Sequence, residues 1–159
     1  MIKRRYCTFR AAAVSSWELE LNSYSISANL SHIVLVDDNE TTSFLNNRLL
    51  GRLAVADRVS TYARADEAFE QLWGNADGGS QLPDLVFVDL KMPGVSGFEF
   101  LELYNALPQP VQDRTVMAVL TTSMHGADTA RVAQYPNVEY LTKPLTEEKM
   151  RKLLEKRFQ

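Results

Sequence analysis

The chain has 159 residues, enough for one domain with a substantial core, and 45% of them are hydrophobic, as in ordinary globular proteins. Its formal net charge of -3 excludes the broad basic surface that nucleic-acid binding requires. No apolar run approaches the roughly 20 residues of a membrane-spanning helix, and a single cysteine, Cys7, excludes an intrachain disulfide and a cysteine-built metal site. We therefore expect a cytoplasmic protein that binds neither nucleic acid nor membrane.

Residues 1–30 differ from the rest of the chain, and we expect them to form an N-terminal extension of unknown role. Their start is basic, as in a signal peptide, but no long apolar run follows it. Trp17, Leu19 and Leu21 alternate with glutamates, a pattern that is compatible with a half-buried strand, so this segment is either such a strand or an extension without a fixed role. Residues 31–159 are expected to form the single globular domain.

From Ile33 onward, predicted strands alternate with predicted helices. Apolar, β-branched runs predict five strands, at Ile33–Val36, Val59–Tyr62, Leu85–Val88, Val116–Leu120 and Val138–Leu141. Helical spacing predicts five helices: one around Phe44, Leu45, Leu49 and Leu53, one over 66–74, one with Phe98, Leu101 and Leu103 that ends before Pro108, a weak one near Ala127–Gln134, and one over Thr146–Phe158. Asn75–Ser80 is predicted to be a surface loop. This alternation predicts an α/β fold, a doubly wound five-stranded parallel sheet with helices on both faces.

Polar residues follow the carboxyl ends of these strands. Asp37 and Asp38 follow the first strand, and Asp89 follows the third. In a sheet of order 2-1-3-4-5 these two strands are neighbours, and they flank the point where strand order reverses and ligands bind. Three carboxylates at one edge repel one another unless a cation lies among them, so the sequence predicts a metal-assisted site. The fourth strand ends in Thr121 and the fifth in Lys143, which add a hydroxyl and an ammonium group.

Four segments, each at a strand end, resemble the response-regulator receiver domain of two-component signalling. They are Val36–Asn39, Val88–Gly97, Leu120–Ser123 and Tyr140–Pro144. The resemblance extends from His32 to the C-terminus and implies the flavodoxin-like receiver fold with strand order 2-1-3-4-5. Because no output domain follows Phe158, we expect a stand-alone regulator that signals through protein contacts.

The resemblance implies a role for each residue of the site. Asp89 would accept a phosphoryl group from a phosphohistidine on a sensor histidine kinase or a histidine phosphotransfer protein. Asp38, Asp89 and the backbone carbonyl of Lys91 would bind Mg2+, while Asp37 would hold water molecules of the metal. Lys143 would pair with Asp89 and then with the phosphoryl oxygens. The chain would thus support its own phosphorylation and dephosphorylation without turning over an external substrate.

The resemblance also implies a switch. Thr121 would donate its hydroxyl, or Thr122 its amide, to the phosphoryl group, and Tyr140 would be the movable aromatic residue. Taken alone, Tyr140 is equally well explained as a packed aromatic residue of a strand. A cis peptide bond before Pro144 is implied as well. A homodimer through the fourth helix, fifth strand and fifth helix is one expected output.

Other classes fit less well. A flavodoxin needs a phosphate loop of Ser, Thr and Gly after the first strand, where Asp37–Glu40 would repel phosphate. A P-loop enzyme needs a Gly-rich loop ending in Lys-Ser/Thr, which the sequence lacks. Aspartyl phosphatases place a second acid two residues after the nucleophile, whereas these acids are adjacent. The remaining alternative is a pseudo-receiver, an interaction module that works without phosphorylation.

Three further features are predicted to have no catalytic role. His32 and His125 are lone histidines at strand ends, expected at the surface. The charged residues between Lys149 and Arg157 are predicted to form the solvated face of the last helix.

Overall fold

The sheet and its helices are described by a computed structural model that covers residues 28–74, 82–122 and 125–158. Five strands alternate with five main helices. The strands are β1 (Leu30–Val36), β2 (Ala56–Tyr62), β3 (Leu85–Val88), β4 (Val116–Thr121) and β5 (Val138–Thr142). The helices are α1 (Glu40–Leu53), α2 (Ala65–Trp73), α3 (Gly97–Asn105), α4 (Gly126–Val132) and α5 (Glu147–Phe158). All strand pairs are parallel, in the order β2-β1-β3-β4-β5. The predicted fold class and strand order are confirmed.

The ends of some elements differ from the prediction. Both β1 and β2 begin earlier than predicted, because polar residues interrupt the apolar runs that mark them in the sequence. A one-turn helix, Gln109–Gln112, precedes β4 and is absent from the prediction. The predicted strand at Trp17–Leu21 and the predicted loop at Asn75–Ser80 lie outside the described residues.

Apolar side chains cover both faces of the sheet. On one face, the core contains Val34, Val36, Val86, Val88, Leu72, Trp73, Phe100, Leu101 and Val132, which join the strands to α2, α3 and α4. On the other face, it contains Ile33, Leu35, Leu85, Phe87, Leu50, Met150 and Leu154, which join the strands to α1 and α5. Successive strand residues point to opposite faces, so burial on both faces explains the unbroken apolar runs.

Helix α1 exposes two large apolar side chains. Phe44 and Leu45 are 63% and 57% exposed, although both belong to the apolar spacing that predicted the helix. The buried residues of α1 are Asn46 and Leu50, and Leu49 is partly buried. Apolar residues on α1 form more than one stripe, and periodicity alone does not determine which stripe packs on the sheet.

His32 is buried, at 5% exposure, so its predicted surface position is wrong. Its Nε2 lies 2.8 Å from Oγ of Ser60, and a guanidinium nitrogen of Arg58 lies 3.0 Å from its Nδ1. Because a guanidinium only donates, Nδ1 accepts and the proton sits on Nε2, so the ring cannot act as a base toward Ser60. Burial lowers the pKa of His32 and Arg58 adds to this, while Asp84 opposes it. His125 is exposed, as predicted.

Within the described parts of the chain, no helix combines the length and the apolar character needed to cross a membrane.

Candidate functional site

The carboxylates predicted at the ends of β1 and β3 come together at one edge of the sheet. One carboxylate oxygen from each of Asp37, Asp38 and Asp89 lies within 4.8 Å of the others. Asp37 and Asp89 are buried, at 7% and 9% exposure, whereas Asp38 is exposed. The cause is the strand register: Val36 pairs with Val88, so the residues that follow them end side by side.

Lys143 brings a cation into this cluster. Its Nζ donates to Oδ2 of Asp89 at 3.0 Å and to Oδ2 of Asp37 at 2.5 Å; the second contact is not part of the sequence prediction. Burial lowers the pKa of Lys143, but the hydrogen bonds to Asp37 and Asp89 outweigh burial and the pKa is raised overall. The ammonium group therefore stays charged and offsets part of the carboxylate repulsion. The peptide bond between Lys143 and Pro144 is cis, as the resemblance implied.

The loop between β1 and α1 holds Asp37 from its other side. The backbone N–H of Asn39 donates to Oδ1 of Asp37 at 2.9 Å. The side chain of Asn39 accepts from the N–H of Thr42 at 2.9 Å and so caps α1. Both oxygens of Asp37 are thus engaged, and Asp38, which takes no part in the cap, projects to solvent.

The loop after β3 is fixed by the start of α3. Oδ1 of Asp89 accepts the backbone N–H of Lys91 at 3.2 Å. Gly97 donates its N–H to the carbonyl of Leu90 at 3.1 Å, and Ser96 caps the helix that begins there. A Cβ at Gly97 would lie 2.2 Å from the carbonyl oxygen of Asp89, so only glycine lets α3 approach this backbone so closely.

Thr121 and Tyr140 lie on the face of the sheet that packs against α4. Thr121 is fully buried at the end of β4, and its carbonyl accepts the backbone N–H of Lys143 at 2.9 Å. Tyr140 pairs with Val119, two residues before Thr121, so the two side chains point to the same face. Tyr140 is half-buried and packs against the core cluster that contains Val132 of α4.

The donor set suits Mg2+. Three carboxylates against one ammonium leave an excess of negative charge, which a divalent cation would neutralise. All donors are hard oxygens, and the exposed Asp38 opens one side of the cluster to the water molecules that Mg2+ retains. Asp38, Asp89 and the adjoining backbone of Lys91 are the groups that could hold the ion. Ser123 and Met124 lie outside the described residues.

Two grooves flank this edge of the sheet, one on each side of α1. Phe44 and Tyr62 border a groove of about 370 Å3, and Leu45 and Pro144 border one of about 480 Å3. The sequence predicted neither groove, because helical spacing alone does not show which apolar side chains of α1 stay exposed. The exposed apolar side chains make this edge suitable for contact with another protein.

Comparison with known sequences gives one family. The family model described as the response regulator receiver domain matches residues 33–155. The probable methanogenesis regulatory protein FilR2 of Methanothrix harundinacea is 32% identical over 129 residues, which cover 77% of this chain and 78% of that protein. The signal transduction histidine-protein kinase BarA of Escherichia coli is 30% identical over 123 residues, which cover 77% of this chain and only 12% of the kinase.

Solved structures agree on the fold. A response regulator receiver protein from Dyadobacter fermentans has a TM-score of 0.70 and 28% identity, covering 80% of this chain and 98% of that one. A two component response regulator from Cytophaga hutchinsonii has a TM-score of 0.73 at 24% identity, covering 80% of this chain and 96% of that one. The second likeness concerns the fold alone.

Proposed function

Because this chain belongs to the response regulator receiver domain family, whose members are signalling modules and not turnover enzymes, we propose that it accepts a phosphoryl group on Asp89. The donor is a phosphohistidine on a sensor histidine kinase or a histidine phosphotransfer protein. The observation that carries the proposal is the meeting of Asp37, Asp38 and Asp89 with the ammonium group of Lys143.

In the proposed transfer, a carboxylate oxygen of Asp89 attacks the phosphorus atom of the phosphohistidine. The new P–O bond forms as the P–N bond breaks, and the imidazole nitrogen keeps the bonding electron pair. Lys143, 3.0 Å from Oδ2 of Asp89, is placed to donate to the phosphoryl oxygens. Mg2+ bound by Asp38, Asp89 and the carbonyl of Lys91 would supply further charge neutralisation, with Asp37 holding its water ligands. Attack of water on phosphorus at the same site would release phosphate and end the signal.

Two observations support a protein as the phosphoryl donor. A segment of the histidine kinase BarA is similar to this chain, which supports a histidine kinase as a partner in phosphoryl transfer. Phe44 and Leu45 are exposed on both sides of the site, where a donor protein must approach. A donor protein that contacts them would bury apolar surface on binding.

We propose that phosphorylation is read out through the surface formed by α4, β5 and α5, called here the output face. The Thr121 hydroxyl moves toward the phosphoryl oxygens, and the Tyr140 ring turns into the space behind β4. Of the seven residues of α4, only Val132 is buried, so displacing this helix exposes little apolar area. A partner protein or a second copy of the chain then docks on the output face.

The proposed acceptor is tested by incubating the protein with a small phosphodonor and Mg2+ and measuring its intact mass. Wild type should gain one phosphoryl group, and Asp89→Asn should gain none. Asp113→Asn is the matched control, because Asp113 is exposed and lies outside the site. Uptake by Asp89→Asn at the wild-type rate would identify another acceptor, and no uptake by wild type would favour the pseudo-receiver.

A further inference from the structure

We propose that Lys149 of α5 is a positioning residue for the phosphoryl transfer, because it fixes the chain segment that carries Lys143. The inference rests on the proposed function, because that function supplies the phosphoryl transfer. The structural support for it is three contacts made by the ammonium group of Lys149. The prediction that Lys149 belongs to the solvated face of the last helix is wrong, since its side chain turns back toward β5 and is half-buried.

The contacts of Lys149 lie on both sides of Lys143 in the chain. Its Nζ donates to the carbonyl oxygen of Thr142 at 2.5 Å and to that of Pro144 at 2.8 Å. The hydroxyl oxygen of Thr142 lies 3.4 Å from the same Nζ. An ammonium group has three donors, so this arrangement can use all of them on the two residues that flank Lys143.

Lys149 joins this segment to a rigid part of the fold. The residue lies in the first turns of α5, directly before Met150, which is fully buried. Leu153 and Leu154 are buried on the same helix and hold it against the sheet. The segment is also held by β4, since the N–H of Lys143 donates to the carbonyl of Thr121 at 2.9 Å. Lys149 therefore supplies the restraint from the helix side.

This restraint matters because the Lys143 ammonium group acts only from a defined position. It lies 3.0 Å from Oδ2 of Asp89, and a displacement of about 1 Å costs catalytic groups up to roughly a hundredfold in rate. Removing Lys149 should leave the fold intact, because Thr142 is only half-buried and Pro144 is exposed, so water can replace the lost donors at both carbonyls. Loss of Lys149 should therefore change the position of Lys143 without changing the packing of the core.

The chain offers a matched control on the same helix. Lys152 is 69% exposed and pairs with Glu148 at the surface, where such pairs contribute little. Lys149→Met removes the donors and keeps most of the aliphatic stem, and Lys149→Arg restores donors. Lys152→Met removes a lysine of equal charge that contacts none of the residues flanking Lys143.

In the full-length chain, phosphorylation by a small phosphodonor should be about tenfold slower in Lys149→Met. The rate should be largely recovered in Lys149→Arg and unchanged in Lys152→Met. The thermal midpoint should match wild type in all three variants, because Lys149 does not contribute to the buried core. The Mg2+ affinity measured by calorimetry should not fall in any of them, because Lys149 does not contact the carboxylates. A wild-type rate in Lys149→Met would overturn the inference. So would a parallel loss of rate, Mg2+ affinity and thermal midpoint, which would show a general structural role.

A second readout separates this inference from the proposed function. In the ground state, the Lys143 ammonium resonance in 15N-resolved NMR, assigned by its loss in Lys143→Met, reports the contact with Asp37 and Asp89. If wild type takes up no phosphate, the proposed function fails. The positioning role then stands if the resonance disappears in Lys149→Met and persists in Lys152→Met, and it falls if the resonance is the same in both.

Discussion

The Nζ atom of Lys143 lies 3.0 Å from Oδ2 of Asp89, although 54 residues separate them in the chain. Their strands, β5 and β3, are not neighbours, and the side chain of Lys143 crosses the end of β4 to reach the carboxylate. In this arrangement Lys143 occupies the same negative site that would attract Mg2+. The ammonium group and the metal ion therefore compete in part for the charge of Asp37 and Asp89.

This competition predicts opposite effects for two substitutions. Lys143→Met should tighten Mg2+ binding, because it removes a positive charge from the carboxylates, and yet should slow phosphorylation by at least roughly tenfold. Asp38→Ala should weaken Mg2+ binding by roughly tenfold or more, because it removes an oxygen ligand. Isothermal titration with Mg2+ measures both affinities, with Asp113→Asn as the control. Weaker Mg2+ binding in Lys143→Met would show that Lys143 mainly maintains the shape of the site.

The first residues are expected to be dispensable for folding and phosphorylation. The five-stranded sheet and both of its core clusters lie within residues 28–158, and no candidate site residue precedes β1. A chain that begins at Ser27 should unfold cooperatively and accept phosphate at the wild-type rate. Circular dichroism melting and intact mass measure the two properties. Loss of the cooperative transition would show that the segment from Trp17 to Ile26 stabilises the domain.

His32 should make the fold less stable in mild acid. Its pKa in the folded protein is lowered from the ordinary 6.5, first by burial and then by Arg58, with Asp84 opposing. Below pH 6.5 the unfolded chain binds a proton that the folded chain resists, so the free energy of unfolding falls as the pH drops. The contribution of the neutral His32 ring to the free energy of unfolding is fully present above pH 6.5. It is lost as the pH falls from 6.5 through the lowered pKa of the folded protein.

His32→Gln tests the assignment, because a glutamine amide can still donate to Ser60 and accept from Arg58 without titrating. Urea unfolding at about pH 7.5 and about pH 5.5 should show a smaller difference in the variant than in wild type. Equal differences in the two proteins would assign the acid sensitivity to other groups.

Phosphorylation should move α4, and Arg131 should oppose the movement. Arg131 donates to Glu102 of α3 at 2.9 Å, and its guanidinium lies 4.0 Å from the ring centroid of Phe98. Arg131 and Glu102 are about half exposed and Phe98 is half-buried, so together the two contacts stabilise the position of α4 by roughly 1 kcal/mol. Arg131→Ala should thus shift the population toward the active form by a few fold.

Two-dimensional NMR with and without beryllofluoride, which stands in for the phosphoryl group, measures this shift. Resonances of Tyr140 and residues 124–135 should change with beryllofluoride in wild type, and in Arg131→Ala they should already lie part of the way toward the active positions. Changes confined to the loops around Asp38 and Asp89 would contradict the proposed output face.

Five strands, four of them followed by polar site residues, could be predicted from short apolar runs, and the resemblance to receiver domains implied the strand order. The convergence of the carboxylates follows from the two together. Asp37 and Asp89 follow β1 and β3 in the sequence, and parallel pairing brings their ends together. Contacts that depend on which side of a helix faces the sheet could not be predicted in this way. Lys149 has the pattern of a surface lysine, and only the packing of α5 turns it toward β5. His32 is buried because Arg58 and Ser60 of the neighbouring strand satisfy its ring nitrogens, a pairing set by register.

The central claim is that Asp89 carries the phosphoryl group, and chemical mapping of the acyl phosphate tests it most directly. Borohydride reduces an aspartyl phosphate to homoserine, which tandem mass spectrometry locates in the sequence. After treatment with a phosphodonor and Mg2+, wild-type protein should contain homoserine at position 89 and at no other aspartate. Homoserine at position 37 or 38, or phosphoryl uptake without homoserine at position 89, would contradict the claim.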